Sequence, residues 1–199
     1  LDTDGKPLCV YSAEWELMAA YESFDPNAEV KGVEVTSIAQ AADHLSTVFG
    51  EQIEEILAAN GLASVRPESW YPLQSYLDVI RTVGDQVGEK AVFYIGKKLP
   101  ELTEWPGGVE TVVEGMESIS GAYETVHRGG DVGYYRVESV GDDRLRLRCK
   151  NPYPCALDRG VIRGTGERFS PPTAYVDLTE RSTRCRADGG DECVYEVTW

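Results

Sequence analysis

At Gly129-Gly130 the apolar pattern of this chain changes its period, and no other feature constrains the fold as much. Before the switch, apolar residues recur every three or four positions and so share one face of a helix. After it they alternate, and so share one face of a strand. Leu73, Tyr76, Leu77 and Ile80 make one helical stripe. Ala91, Phe93, Tyr94 and Ile95, within Val87 to Leu99, make another, and Val112, Val113, Met116, Ile119 and Tyr123 make a third. Arg144-Leu145-Arg146-Leu147-Arg148-Cys149 alternates strictly, which predicts a strand with one charged and one buried face.

Turn chemistry divides the remainder. A helix over Ser12 to Phe24 ends at Asp25-Pro26-Asn27, and Gly32-Val33-Glu34-Val35 reads as a brief extended piece. Thr36 or Ser37 caps a helix running to Phe49; Gly50 breaks it, and Glu51 to Asn60 forms the next. Leu99 to Gly108 reads as a loop and Val109 to Val126 as the last long helix. Strands follow over Val132 to Val140, Ala174 to Leu178 and Val194 to Trp199, with a short helix from Cys155 to about Gly166. The expected fold is α+β, with N-terminal helices packed on a C-terminal antiparallel sheet in two layers. It is read as a single domain over 1–199, mainly helical through 128 and sheet-forming from 129.

Charge narrows the partners. A net charge of −15 on 199 residues argues against nucleic acid and against an anionic membrane surface, both of which need basic residues. No window approaches the roughly 18 uninterrupted apolar residues of a membrane span. Leu1 to Pro7 lacks the basic and apolar regions of a signal peptide, so a cytoplasmic setting is expected. With two histidines, His44 and His127, a catalytic triad or a multi-histidine metal centre is nearly excluded. Neither a phosphate loop nor a dinucleotide-binding glycine turn is present, which favours a binding module over an enzyme.

Four of the five cysteines fall from Cys149 onward. Cys149 ends a strand, Cys155 begins a helix, and Cys185 and Cys193 flank one hairpin loop, so their thiols gather at one end of the sheet. Four such sulfurs suit a tetrahedral structural zinc. Plain buried thiols and disulfides are the competing readings, the latter weakened by a cytoplasmic setting.

Three motifs in this tail carry a family resemblance. They are Asn151-Pro152-Tyr153-Pro154-Cys155 with the Gly160-Val161-Ile162-Arg163-Gly164 step behind it, the loop from Cys185 to Cys193, and the closing Val194-Tyr195-Glu196-Val197. Together they resemble the domain shared by 4-vinyl-reductase-like proteins and the sensor modules of phenol-responsive transcription activators. The resemblance covers about a quarter of the chain well. Its superfamily includes haem-NO-binding domains and small TRAPP vesicle-tethering subunits, which hold a ligand or acyl chain between helices and sheet. In the phenol sensors the cysteines matching Cys155, Cys185 and Cys193 bind zinc, with a glutamate three residues before the first loop cysteine. That position is Ser182 here, and Cys149 is the substitute ligand we expect.

The resemblance implies a ligand cavity between the later helices and the sheet. Its candidate liners are Trp70, Tyr76, Phe93, Tyr94, Tyr123 and Tyr134, with His127 as a polar anchor or haem ligand. The Tyr-x-Ser-x-Arg motif of haem-NO-binding proteins is absent, so haem is disfavoured at this point. The expected function is a sensory module for a small hydrophobic or aromatic ligand, signalling through a homodimer or an output partner. The alternatives are a tetrapyrrole vinyl-reductase-like enzyme, a TRAPP-like adaptor and a haem-based gas sensor.

Overall fold

A computed structural model describes residues 21–141 and 143–199. The helix expected over Ser12 to Phe24 therefore falls, as far as residue 20, outside the described residues. From Glu22 to Ala28 the chain runs through turns into β1 (Glu29–Lys31), then α1 (Gly32–Asp43) and α2 (Thr47–Ala59). Two details here differ from expectation. Gly32 to Val35 is the first turn of α1 and not an extended piece. The helix can start there because the loop at 66–69 satisfies its free N–H groups: Gly32 donates to the Ser69 carbonyl at 2.7 Å and Val33 to that of Pro67 at 2.9 Å. A Cβ on Gly32 would lie 2.0 Å from the Arg66 carbonyl oxygen, so only glycine fits beneath that loop. The helix break comes at 44–46, while Gly50 lies inside α2, where a Cβ would meet the Asp43 side chain at 2.8 Å. It is a contact point between two helices.

β2 (Trp70–Pro72), α3 (Leu73–Gln86), α4 (Glu89–Leu102) and α5 (Val112–Val126) follow. A capping box starts α5: Thr111 Oγ1 accepts from the Glu114 amide, and the Glu114 carboxylate accepts from the Thr111 amide. β1 pairs antiparallel with β2 and with β3 (His127–Arg128), a small sheet tied by Val30 opposite Tyr71 and His127.

The second sheet has the order β4-β5-β7-β6, all antiparallel, with β4 Tyr134–Val140, β5 Arg144–Lys150, β6 Asp177–Glu180 and β7 Cys193–Thr198. Its inner face carries Tyr135, Leu145, Leu147, Cys149, Cys193, Tyr195 and Val197, all buried. On the outer face Arg146 and Arg181 both meet Glu196, while Arg148 meets Glu138 and Glu192. The strict alternation in β5 is thus resolved as core on one side and a lattice of ion pairs on the other.

Helix α6 (Cys155–Phe169) packs along α4 at backbone contact. A Cβ on Gly160 would lie 2.2 Å from the Phe93 carbonyl oxygen, one on Gly164 2.2 Å from that of Lys97, and one on Gly96 2.5 Å from that of Leu157. The close crossing fixes the start of α6, and with it Cys155, against the sheet. Among the described residues no helix is long and apolar enough to cross a membrane. The α+β class and its arrangement of helices on an antiparallel sheet are as expected.

Candidate functional site

Cys155 is the first residue of α6, Cys185 precedes a short 3-10 turn (Arg186–Asp188), and Cys193 opens β7. Their sulfurs all lie within 4.8 Å of one another. Cys155 Sγ is 3.6 Å from Cys185 Sγ and 3.5 Å from Cys193 Sγ. Three sulfurs bound tetrahedrally at about 2.3 Å stand about 3.8 Å apart, so the trio is nearly spaced for one metal ion. Backbone amides already face them: Arg186 N–H points at Cys193 Sγ at 3.4 Å and Ala187 N–H at Cys185 Sγ at 3.3 Å. The Cys193 thiol is pulled down to about 5, first by its hydrogen bond from Cys155 and then by the Arg186 amide and guanidinium. Cys155 is held up by that same bond and by burial, and Cys185 by burial. Cys149 sits opposite Cys193 in the β5–β7 register, buried on the inner face and outside the close trio. The Ser182 hydroxyl accepts from the Val194 amide at 2.8 Å.

Beneath the thiols is a buried ion pair between Arg186 and Asp158, side chains 6% and 0% exposed. The Asp158 carboxylate also accepts from the Tyr135 hydroxyl at 2.5 Å and from Asn151 Nδ2 at 3.1 Å. Arg186 in turn donates to Asn151, to its backbone carbonyl and, at 2.8 Å, to Oδ1. Burial raises the Asp158 carboxyl above its ordinary range even though Arg186 opposes that shift. Sequence reasoning passed over this pair. One signal existed, since Asp158 shares a helix face with Ile162 and Thr165, where an apolar residue belongs.

Asn151 leads to the second group. Its Oδ1 accepts from the Tyr153 amide at 3.0 Å, and the Tyr153 hydroxyl lies 2.6 Å from His127 Nε2. His127 Nδ1 lies 2.8 Å from the Tyr123 carbonyl oxygen. The Tyr123 ring stacks on the imidazole at 3.9 Å, and Tyr76, Tyr135 and Tyr153 meet this cluster edge-on. Tyr76 from α3, Tyr123 from α5 and His127 from β3 are thereby brought together at the helix–sheet junction. The other expected liners stand apart from them. Trp70 lies under the Arg128 guanidinium at 4.2 Å; Phe93 and Tyr94 pack on each other, with Tyr94 49% exposed; Tyr134 donates its hydroxyl to Glu192 at 3.0 Å. Helix phase accounts for much of this, because α4 turns Val92, Ile95 and Leu99 inward instead.

Burial pushes the His127 imidazole down to about 4, against a smaller opposing effect of the Tyr123 carbonyl. The unfolded chain takes up this proton below about pH 6.5 and the folded one only near 4. Stability is therefore lost as pH falls through that window, by roughly 3 kcal/mol at its lower end. Glu34, raised by burial to about 7, has the opposite sign and costs stability as pH rises from about 4.5 towards 7. Urea unfolding at a series of pH values should show the acid limb in the wild type and its loss in His127→Gln. Glu34→Gln should instead lose the limb at higher pH. A profile unchanged by His127→Gln would refute the assignment.

The arrangement of these helices on an antiparallel sheet is an α+β fold that solved structures share. An unliganded Fe(II) H-NOX protein variant from K. algicida matches with a TM-score of 0.62 at 12% identity, covering 84% of this chain and 95% of that one. An H-NOX protein from S. oneidensis in the Fe(II)NO ligation state matches with a TM-score of 0.63 at 13% identity, covering 84% and 97%. A third match, solved to show modulation of haem redox potential through protein-induced porphyrin distortion, has a TM-score of 0.61 at 13% identity, covering 85% and 99%. No protein-family model matches the sequence. No curated protein matches it either.

The likeness corrects the expectation that disfavoured haem. That expectation rested on a missing short motif, whereas the chain shares its fold with H-NOX proteins and with a structure solved for the distortion of its porphyrin. The donor chemistry is compatible with the group: His127 is a buried imidazole with no charge to lose before binding a metal. Its Nε2 is engaged by the Tyr153 hydroxyl, so any ligand of that nitrogen must first displace Tyr153.

Proposed function

We propose that this chain is a sensory module of H-NOX fold that binds a small ligand at His127 and a zinc ion at its cysteine rim. The reading treats residues 1–199 as one domain. The observation that carries it is His127, the buried imidazole at the helix–sheet junction, latched by one hydroxyl and ringed by tyrosines. The solved neighbours favour haem and a diatomic gas as the ligand. In that case His127 Nε2 would hold the iron once Tyr153 is displaced, haem would supply the gas-binding metal, and the rings of Tyr76, Tyr123 and Tyr135 would exclude water. A small aromatic ligand hydrogen-bonded to His127 and Tyr153 is the second reading, favoured by the resemblance to phenol sensors. Output passes through a homodimer or a separate partner.

At the rim, Cys155, Cys185 and Cys193 are the proposed zinc ligands, with Cys149 the additional sulfur that the sequence puts forward. Zinc would tie the start of α6 to both ends of the 185–193 loop, a structural role.

Two measurements test this. Metal analysis of freshly purified protein should give about one zinc per chain, and Cys193→Ser should abolish it and lower the melting temperature. Haemin titration of the purified protein should give a saturable Soret band that His127→Ala removes. No Soret band, with a phenol instead shifting the Tyr and His signals, would leave the aromatic reading. Absence of both responses would overturn the ligand site.

A further inference from the structure

The two candidate sites are joined by one side chain. Asn151 accepts from Arg186 and from the Tyr153 amide and donates to Asp158. Arg186 lies between the rim thiols Cys185 and Cys193 in the loop, with its amide on Cys193 Sγ. Tyr153 holds His127 Nε2. Every polar step from the rim sulfurs to the imidazole is therefore a hydrogen bond, and the residues on the path are buried: Arg186 at 5%, Asn151 at 1%, Asp158 at 0%, Tyr153 at 4% and His127 at 6% exposure. Buried networks of this kind tolerate few arrangements, because a half-made one leaves charge or a polar group unsatisfied. Among the described residues Arg186 Nε is without a hydrogen-bond partner, so this guanidinium relies on Asn151 and Asp158 for its bonds.

We propose that occupancy of the cysteine rim by a metal ion and opening of the Tyr153–His127 latch are thermodynamically linked through Arg186 and Asn151. A metal ion on Cys185 and Cys193 fixes the loop and so Arg186. Arg186 fixes Asn151, and Asn151 holds the Tyr153 backbone where its hydroxyl covers Nε2. Metal binding thus favours the closed latch, and a ligand that takes Nε2 weakens the metal. Linkage is reciprocal, so either site reports on the other. The inference rests on the zinc assignment above.

The test uses zinc alone. Zinc affinity of the full chain is measured by competition with a chromophoric chelator for the wild type, Tyr153→Phe and Tyr94→Phe. Tyr153→Phe removes only the latch hydroxyl and keeps the ring; Tyr94 lies half-exposed away from the path. Tyr153→Phe should weaken zinc about 5-fold or more, the lower end of ordinary coupling between sites, and Tyr94→Phe should leave it within twofold. In parallel, adding zinc to metal-free wild type should shift the His127 imidazole resonances, a response absent from Tyr153→Phe. Zinc bound with equal affinity by all three proteins and no imidazole shift would overturn the linkage while leaving the metal site intact. No zinc binding by the wild type would overturn both.

Discussion

Replacing Arg186 by methionine should cost about 3–5 kcal/mol of folding stability, because it strands the Asp158 carboxylate in the protein interior. Asp158 is fully buried, and with Arg186 gone only the Tyr135 hydroxyl and Asn151 amide remain to it. A loss of this size is a large part of the 5–15 kcal/mol that typical domains possess. The double variant Asp158→Leu/Arg186→Met should be markedly more stable than Arg186→Met, since exchanging both charges for apolar groups of similar volume is often neutral. Urea unfolding of the wild type, both single variants and the double variant gives the coupling directly. If the double variant is no better than Arg186→Met, the penalty comes from lost packing and the electrostatic account fails.

The second large effect belongs to the α4–α6 crossing. Gly160→Ala and Gly164→Ala each place a methyl group against a backbone carbonyl, of Phe93 and Lys97, at 2.2 Å. Backbone cannot swing aside as a side chain does, so the two helices must separate along their shared face. Each variant should lose about 2–3 kcal/mol or more, despite the higher helix propensity of alanine. Gly121→Ala is the control with the opposite sign: it lies in α5 with nothing within 4 Å of its added Cβ and should gain about 0.5–1 kcal/mol. Thermal and urea unfolding of the three proteins separate these outcomes. Stabilisation by Gly160→Ala would mean that the helices do not touch there.

The crossing matters for the site because α6 begins at Cys155 and carries Asp158 one turn later. Moving α6 away from α4 would move both against the sheet. Stability variants at Gly160 are therefore also expected to lower zinc occupancy, a consequence readable by metal analysis of the folded fraction.

Several elements were legible because their signals are local. The Arg-Leu alternation of β5 could satisfy only a half-buried strand, and the apolar stripe of α3 only a helix with one buried face. The clustering of cysteines at one end followed from placing Cys185 and Cys193 around a single hairpin loop. Other features were misread because glycine has two uses. At Gly32 and Gly50 the sequence suggested a strand and a break, where the structure uses the missing Cβ to let other backbone approach. The identity of the contacting segments, the 66–69 loop and the end of α1, is not encoded near either glycine.

The candidate site shows the same division more sharply. Residue type and spacing, together with the family resemblance, nominated Tyr76, Tyr123, His127 and the rim cysteines. They could not choose among the aromatics, because helix phase at Tyr94 and strand phase at Tyr134 turn equally suitable rings outward. They also passed over Asn151, Asp158 and Arg186, which look like a turn, a helix surface and a loop cation until three segments are brought together.

What the chain determined by itself was periodicity: which stretches are helix or strand, which face of each is apolar, and that an acidic surface would surround them. Those properties arise from neighbours in sequence and from the geometry of a single backbone. Only the tertiary structure decided which polar groups share the interior. A buried charge is tolerable solely beside its partner, and Asp158 and Arg186 become partners when the two ends of the tail close over the sheet.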